Sequence, residues 1–503
     1  MVNPRSSTVD DIIRRSASRW PDRVGLLFAD RSWTYAQLDA AVSRAAGALL
    51  ALGLRKGDRV AAYGQNSDAY LLAFLGACRA GLVHVPINYS LAGDELAYLI
   101  EQSGASLVLA DPALAPTLGK LDSAPDHLLL HGTPGSLLDL ASTGEVPVID
   151  AAVADSDLCQ LIYTSGTTSR PKGAMMTHRA YVHHYASVII ALDAKEDDAP
   201  LHAMPLYHTA QMHVFMLPWL AVGARNRLLS TPDIPVMLEL VETERIGAMF
   251  LAPTVWVPLS QHPNFTRHDL SSLRKAYYGA SIMPGPVRER IAKALPELGW
   301  YNCFGQTEIA PLATVLRPEE HAARPDSCGR AVMFVELRVI NLDGTDVEPG
   351  GTGEVVYRSP HLCEGYWQKP EETAEAFEGG WFHSGDLVRI DDEGYITVVD
   401  RIKDVINTGG VLVASREVED CIYTHPAVAE VAVISTPDPK WIEAVTAVVV
   451  LRAGSTATAD ELIAHAKDNL AKYKVPKRVE FVDALPRNAS GKLLKRVLRD
   501  QLG

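Results

Sequence analysis

The sequence predicts an α/β protein. Its large N-terminal part reads as mostly parallel sheets covered by helices, joined to a β-rich subdomain and a small α+β C-terminal domain. Three observations carry this. Short runs of Val, Ile and Leu alternate with longer amphipathic segments over the first three hundred residues. Closely spaced strands with Gly and Asp turns follow from about residue 340. Alternation then returns beyond Asp400. Strand followed by helix, repeated, implies parallel strands connected by covering helices.

In chain order, Arg59–Tyr63 reads as a strand after the Lys56-Gly-Asp58 turn, Ser67–Ala80 as a helix and Leu82–Pro86 as the next strand. Further strands are expected at Ser106–Ala110, Ala248–Ala252, Lys275–Tyr278 and Trp300–Phe304. Turns at Asn341–Gly344, Pro349–Gly353 and Asp391–Gly394 mark the hairpin-rich part. After it, Ser415–Tyr423 and Asp460–Ala471 read as helices, and Val428–Ile434 and Ala444–Leu451 as strands. The domains expected are 1–400 and 401–503. No internal repeat or low-complexity stretch interrupts this order.

Composition narrows the function classes. A chain of 503 residues has a length prior of roughly two to four domains, and 47% apolar with 21% charged residues is ordinary for a soluble globular protein. The net charge of −14 argues against a general nucleic-acid or anionic-membrane binder, since both need a positive surface. The segment from Lys472 to Arg499 is locally basic. Six scattered cysteines form no Cys-x-x-Cys pair and read as reduced thiols of a cytoplasmic protein. Arg5, Asp10, Asp11, Arg14 and Arg15 break up any secretory signal, no apolar run is long enough for an integral membrane span, and Gln501-Leu502-Gly503 spells no peroxisomal address. A homodimer is left open.

The segment with the strongest chemical signature is Tyr163–Gly173, YTSGTTSRPKG, which follows the strand-like run Leu158–Ile162. Glycine lets backbone N–H groups approach phosphate oxygens, hydroxyls add donors, and Arg170 and Lys172 add positive charge. By composition alone a polar surface loop explains the segment equally well. It is not a Walker A loop, because Lys172 is followed by Gly173 rather than Ser or Thr. Ser490-Gly-Lys492 fails the same test, being followed by Leu493.

The segment resembles the phosphate-binding signature of the adenylate-forming superfamily, which includes acyl-CoA synthetases, peptide-synthetase adenylation domains and beetle luciferases. Four further segments match in order: Tyr301–Glu308 its adenine and magnesium motif, Gly380–Asp386 its ribose motif, Asp400–Asp404 its hinge, and Pro486–Lys492 its C-terminal lysine motif. The resemblance runs from about Arg31–Tyr35 to Arg499.

It implies ATP and Mg2+ as cofactors, coenzyme A as the acceptor, and a role for each matching residue. Thr164, Ser165, Gly166, Thr167, Thr168 and Lys172 would cradle phosphates. Glu308 would hold magnesium, which prefers a carboxylate together with phosphates and waters. Thr307 would donate to the α-phosphate, Phe304 stack on adenine, Asn302 hydrogen-bond its edge, and Gly305 belongs to the same motif. Gly279, Ala280 and Ser281 would line the junction of the adenine and acyl sites. Asp386 would accept the ribose hydroxyls, assisted by Arg401. Lys492 would bridge the carboxylate and the α-phosphate, where charge shifts in the transition state. Lys403 would be the hinge about which a mobile C-terminal domain swings. Taken without the family, Glu308 and Lys492 are solvated charges, Phe304 is core and Asp386 a turn residue.

Pro205–His208 resembles the segment whose histidine gates the carboxylate and thiol passage. A satisfied structural histidine explains His208 equally well. Met212, Phe215, Val255 and Trp256 nearby suggest a fatty or aromatic acid. Amino-acid-activating relatives carry an aspartate where Thr209–Met212 stands here, and dicarboxylate-activating ones an arginine within Tyr301–Phe304. Neither is present. Two positions depart from the pattern: Ser169 replaces a usual glycine, and Val411-Leu412 replaces a polar pair in a loop that faces the site during the thiol step. The expected activity is an AMP-forming acyl-CoA ligase acting on an apolar monocarboxylic acid. An acyl-AMP ligase that loads a carrier-protein phosphopantetheine and a non-catalytic acyl-AMP or nucleotide-binding protein remain as alternatives, and a luciferase is not separated from them by motif.

Overall fold

The computed structural model describes residues 6–502 except 124, 165–169, 280, 282, 284, 342, 409–410, 440 and 488–492. The chain divides into two compact units, one of residues 1–336 and 358–382, the other of residues 337–357 and 383–503.

Among the described residues, the first unit holds two large sheets. One runs in the order His127–Leu129, Ala105–Ala110, Arg59–Tyr63, Val83–Ile87, Leu158–Thr164, Lys172–Thr177. Its pairs are parallel except the last, which is antiparallel. The other sheet has five consecutive parallel pairings, from Val24–Phe28 through Asn226–Leu228, Pro200–His202, Ala248–Phe250 and Lys275–Gly279 to Gly299–Gly305. Antiparallel strands close both of its edges.

Local chemistry explains these elements. The helix Asp68–Ala80 starts where the Ser67 hydroxyl accepts from Tyr70 N at 3.0 Å, and it ends at Gly81, whose φ of 70° suits glycine. All thirteen of its residues are buried: the run Ala69–Cys78 carries no charge, and the charged Asp68 and Arg79 near its ends are paired with Arg31 and with Asp10 and Asp39. The helix Tyr35–Ala51 opens with a capping box between Thr34 and Gln37.

A buried polar network ties the two layers beneath the phosphate segment. Gln160, on the strand that leads into that segment, accepts from the Tyr181 hydroxyl at 2.6 Å and lies 2.8 Å from His213 Nε2. The other ring nitrogen of His213 meets the Tyr185 hydroxyl at 2.7 Å. His213 sits in a π-helical turn, Ala210–Met216, an uncommon conformation that often marks functional positions.

The second unit carries most of the four-stranded sheet Glu336–Ile340, Thr352–Arg358, Phe382–Ile390, Ile396–Arg401, whose last pair is antiparallel. It also has a sheet in the order Val411–Val413, Ile406–Thr408, Ile442–Leu451, Val428–Asp438, with Arg478–Phe481 paired in parallel to Ile442–Leu451. The helices Ser415–Tyr423 and Ala459–Asn469 accompany it. Val411–Val413, expected in a loop, is a strand paired with Ile406–Thr408. β-Branched residues suit that conformation. Val411 and Leu412 are exposed, at 44% and 65%. No described helix is long and apolar enough to cross a membrane.

Candidate active site

In the first unit the phosphate segment is the connection of a β-hairpin. Thr164 ends one strand, Lys172 begins the next, and the two are directly paired. Ser165, Gly166, Thr167 and Thr168 lie outside the described residues, as do Ser169 and Ala280. Behind the hairpin, Arg170 lies over the Tyr98 ring at 4.9 Å and the Tyr98 hydroxyl donates to Pro171 O at 3.1 Å.

The strand Gly299–Gly305 delivers the next group. Its neighbour ends at Gly279, where a Cβ would lie 2.3 Å from Cys303 O, so the two strands close only with glycine there. Asn302 donates from Nδ2 to Ser327 O at 2.9 Å, which commits one of its amide hydrogens to the scaffold. Phe304 is half-buried. Gly305 has φ of 152° and packs against Pro311 O, allowing the chain to turn into the 3₁₀ turn Thr307–Ile309. That turn presents Thr307 and Glu308.

Glu308 is 8% exposed. Its Oε1 accepts from the Tyr366 hydroxyl at 2.9 Å and from Thr164 Oγ1 at 3.3 Å. Among the described residues no donor reaches Oε2 and no cation pairs with the carboxylate. A carboxylate this buried needs a positive partner. One free oxygen, with hydroxyls around the other, fits a magnesium ion completed by phosphate and water. The described residues hold no cluster of three His, Cys, Asp or Glu side chains that could hold a metal ion, so they alone form no full metal cage. The Lys172 ammonium sits 5.1 Å from the Tyr366 ring centroid, within cation–π range. Thr307 Oγ1 lies 3.1 Å from Thr209 Oγ1, at the start of the π-helical turn.

His208 is half-buried and its backbone N–H bonds Pro205 O at 3.1 Å. Ser281 is exposed. The apolar residues expected beside the acid sit in the core. Met212 is fully buried in one cluster, Trp256 in another with its indole N–H on Tyr277 O at 3.0 Å, and Phe215 stacks on Phe250 at 4.2 Å. Val255 packs partly buried against the Trp256 cluster. Large apolar side chains near a site satisfy the same burial requirement as the interior does, so sequence cannot separate pocket wall from core.

In the second unit Asp386 and Arg401 face each other across adjacent antiparallel strands, with Nε and Oδ1 2.7 Å apart. Asp386 is 4% exposed while a third of the Arg401 side chain is open. Lys403, exposed, lies in the 3₁₀ turn Ile402–Asp404 that follows. Asp400, just before the turn, accepts from Arg401 N at 2.7 Å through Oδ1 and from the Ser415 hydroxyl at 2.7 Å through Oδ2. Lys495 donates to that hydroxyl at 2.6 Å and pairs with Glu419 at 2.7 Å. Burial raises the Glu419 carboxyl above its ordinary range, against the pull of Lys495. Lys492 lies outside the described residues.

Of the residues expected from the sequence, the first unit brings Thr164 to Glu308 and pairs it with Lys172, the turn that holds Glu308 also holds Thr307, and the second unit pairs Asp386 with Arg401. Sequence reasoning misses Tyr366 and Thr209, which carry no motif, and whose partners lie 58 and 98 residues away.

Residues 13–367 match the family described as AMP-binding enzyme, and residues 417–492 match the AMP-binding enzyme C-terminal domain. The chain is 40% identical to a feruloyl-CoA synthase of an Amycolatopsis species over 97% of this chain and 98% of that one. It is 34% identical to the long-chain-fatty-acid–CoA ligase FadD13 of Mycobacterium tuberculosis, covering 94% and 93%. The crystal structure of the anthranilate CoA ligase AuaEII with anthranoyl-AMP superposes with a TM-score of 0.89 at 26% identity, covering 99% and 98%.

Proposed function

The chain belongs to the family of AMP-binding enzymes, and from that premise we propose how its residues divide the work of an AMP-forming acyl-CoA synthetase. The enzyme uses ATP to convert an apolar monocarboxylic acid, fatty or aryl, to an acyl-adenylate with release of pyrophosphate. It then passes the acyl group to coenzyme A and releases AMP.

In the first step a carboxylate oxygen attacks the α-phosphorus and the bond to pyrophosphate breaks. Two anions must meet, so neutralisation and positioning supply most of the catalysis. The observation that carries the assignment is the buried Glu308 carboxylate, which among the described residues meets no cation and has no donor on Oε2, while Oε1 accepts from Thr164, the strand partner of Lys172. Magnesium, when bound, offsets phosphate charge. Glu308 holds it, Thr307 donates to the α-phosphate, and the hydroxyls and glycine of 164–168 with Lys172 receive the outer phosphates. Phe304 stacks on adenine beside Asn302, with Gly305 and the segment Gly279–Ser281 shaping the walls. Asp386 accepts the ribose hydroxyls, held by Arg401. Lys492 bridges the carboxylate and the α-phosphate. His208 stands at the passage of the acid and the thiol.

In the second step the thiol sulfur attacks the acyl carbonyl and AMP leaves. Residues 401–503 turn about Lys403 between the two steps. The change of family between residues 367 and 417 supports a boundary at this point. Six free cysteines support a cytoplasmic setting, where thiols stay reduced.

The test is a panel of fatty, aryl, amino and dicarboxylic acids assayed for pyrophosphate exchange into ATP. Exchange is expected with apolar monocarboxylic acids in the absence of coenzyme A, and AMP on its addition. Exchange that requires coenzyme A, accumulation of ADP, or phenylalanine or malonate as the best acid would overturn the reading.

A further inference from the structure

Tyr366 lies outside every motif segment, yet it touches two of them. Its hydroxyl donates to Glu308 Oε1 at 2.9 Å, and its ring lies 5.1 Å from the Lys172 ammonium. Its backbone is held on both sides against the strand that follows the phosphate segment. Tyr366 bridges Ala174, Met175 N donates to Gly365 O at 2.9 Å, and Trp367 N donates to Gly173 O at 2.8 Å. Tyr366 N donates to Thr373 Oγ1 at 2.9 Å, and that hydroxyl donates to Lys369 O at 2.7 Å. The backbone around Tyr366 is therefore held without any contact from the Tyr366 side chain.

We propose that Tyr366 is a positioning residue for adenylation: it fixes which oxygen of Glu308 faces the metal and seats Lys172 beside it. The proposal rests on the reading of Glu308 as the magnesium ligand. A glutamate carboxylate turns readily about its last torsion. Two donors on Oε1, from Tyr366 and Thr164, hold that torsion and leave Oε2 for the cation. Groups that orient a metal ligand in this way matter nearly as much as the ligand, and their loss costs on the order of 10–100-fold in metal affinity. The ring contributes separately, by attracting an ammonium that would otherwise sample many rotamers.

Two substitutions divide the roles. Tyr366→Phe keeps the ring and removes the donor. Tyr366→Leu removes both. Mn2+ replaces Mg2+ as the probe, and its binding is followed by electron paramagnetic resonance with α,β-methylene-ATP, beside the Mg2+ dependence of pyrophosphate exchange. For Tyr366→Phe, Mn2+ binding should weaken about 10-fold or more and the Mg2+ needed for half-maximal exchange should rise by a like factor, with the KM for the acid unchanged. Tyr366→Leu should add weaker nucleotide binding even at saturating metal. Thermal unfolding of each variant identifies any that fail to fold, and Tyr366→Phe retains all but one atom of the packing. Unchanged Mn2+ binding in folded Tyr366→Phe overturns the proposal. Glu308→Gln is the discriminating control. If it loses the metal while Tyr366→Phe keeps it, only the positioning role fails; if it also binds Mn2+ normally, the reading of Glu308 fails with it.

Discussion

Thr209 Oγ1 and Thr307 Oγ1 lie 3.1 Å apart, so the first residue ahead of the π-helical turn is hydrogen-bonded to Thr307, the proposed donor to the α-phosphate. Thr209→Val removes that bond while keeping the shape. A hydrogen bond of this kind is worth about 1 kcal/mol, so kcat/KM for the acid should fall about fivefold. Thr209→Ser should restore it. A Val variant with unchanged kcat/KM would show that the two hydroxyls act independently.

Asp386→Asn keeps the side-chain volume but removes the charge that pairs with Arg401 at 2.7 Å. Hydrogen bonds to a charged acceptor are worth about 1.5–3 kcal/mol. The KM for ATP in pyrophosphate exchange should rise about 10–100-fold, with the KM for the acid unaffected. An equal rise in both would point to misfolding rather than to a lost ribose contact.

Gly305→Ala places a Cβ 2.0 Å from Pro311 O and 2.8 Å from Ala313 N at a φ of 152°. The strand end must shift, and Thr307 and Glu308 with it. A loss of about 1–3 kcal/mol in stability should accompany at least about a tenfold fall in pyrophosphate exchange. Thermal unfolding and exchange rates measured on one preparation would check both.

Lys492→Ala and Lys403→Pro should separate the half-reactions. Removing a preorganised cation costs about 10²–10³ in rate, so Lys492→Ala should slow adenylation by that factor and spare thioester formation from pre-made acyl-AMP. Proline at 403 restricts φ near about −65° and should spare adenylation while thioester formation falls. Equal loss of both steps in a folded Lys492→Ala would reject the turning of residues 401–503.

Acid should destabilise the first unit before its carboxylates titrate. Burial lowers His84 to about 3 and His178 and His202 to about 4, and pushes His184 and His213 down as well. Each is neutral in the fold, whereas in the unfolded chain it takes a proton near 6.5. The fold excludes that proton. Stability is therefore full above about pH 6.5 and declines below it, by about 1.4 kcal/mol per group and pH unit, until the folded value is reached. The unfolding midpoint should already drop between pH 6.5 and 5. A midpoint constant over that interval would contradict the buried, neutral histidines.

Features encoded within a short window are legible in the amino-acid order. The strand Arg59–Tyr63, the strand at Lys275–Gly279, expected to end at Tyr278, and the helix expected over Ser67–Ala80 follow from local periodicity and turn chemistry. The strand expected at Trp300–Phe304 lies within Gly299–Gly305 for the same reason. Partnership between distant segments emerges only on folding. Tyr366 meets Glu308, Thr209 meets Thr307, and Gln160 meets His213 because the topology brings strands and helices together that no window spans. The same limit applies to apolar residues. Met212 and Trp256 read as candidates for an acyl pocket, yet they are core. Hydrophobicity drives burial without direction, and only the packed arrangement settles which apolar surface meets another side chain and which is left for a substrate.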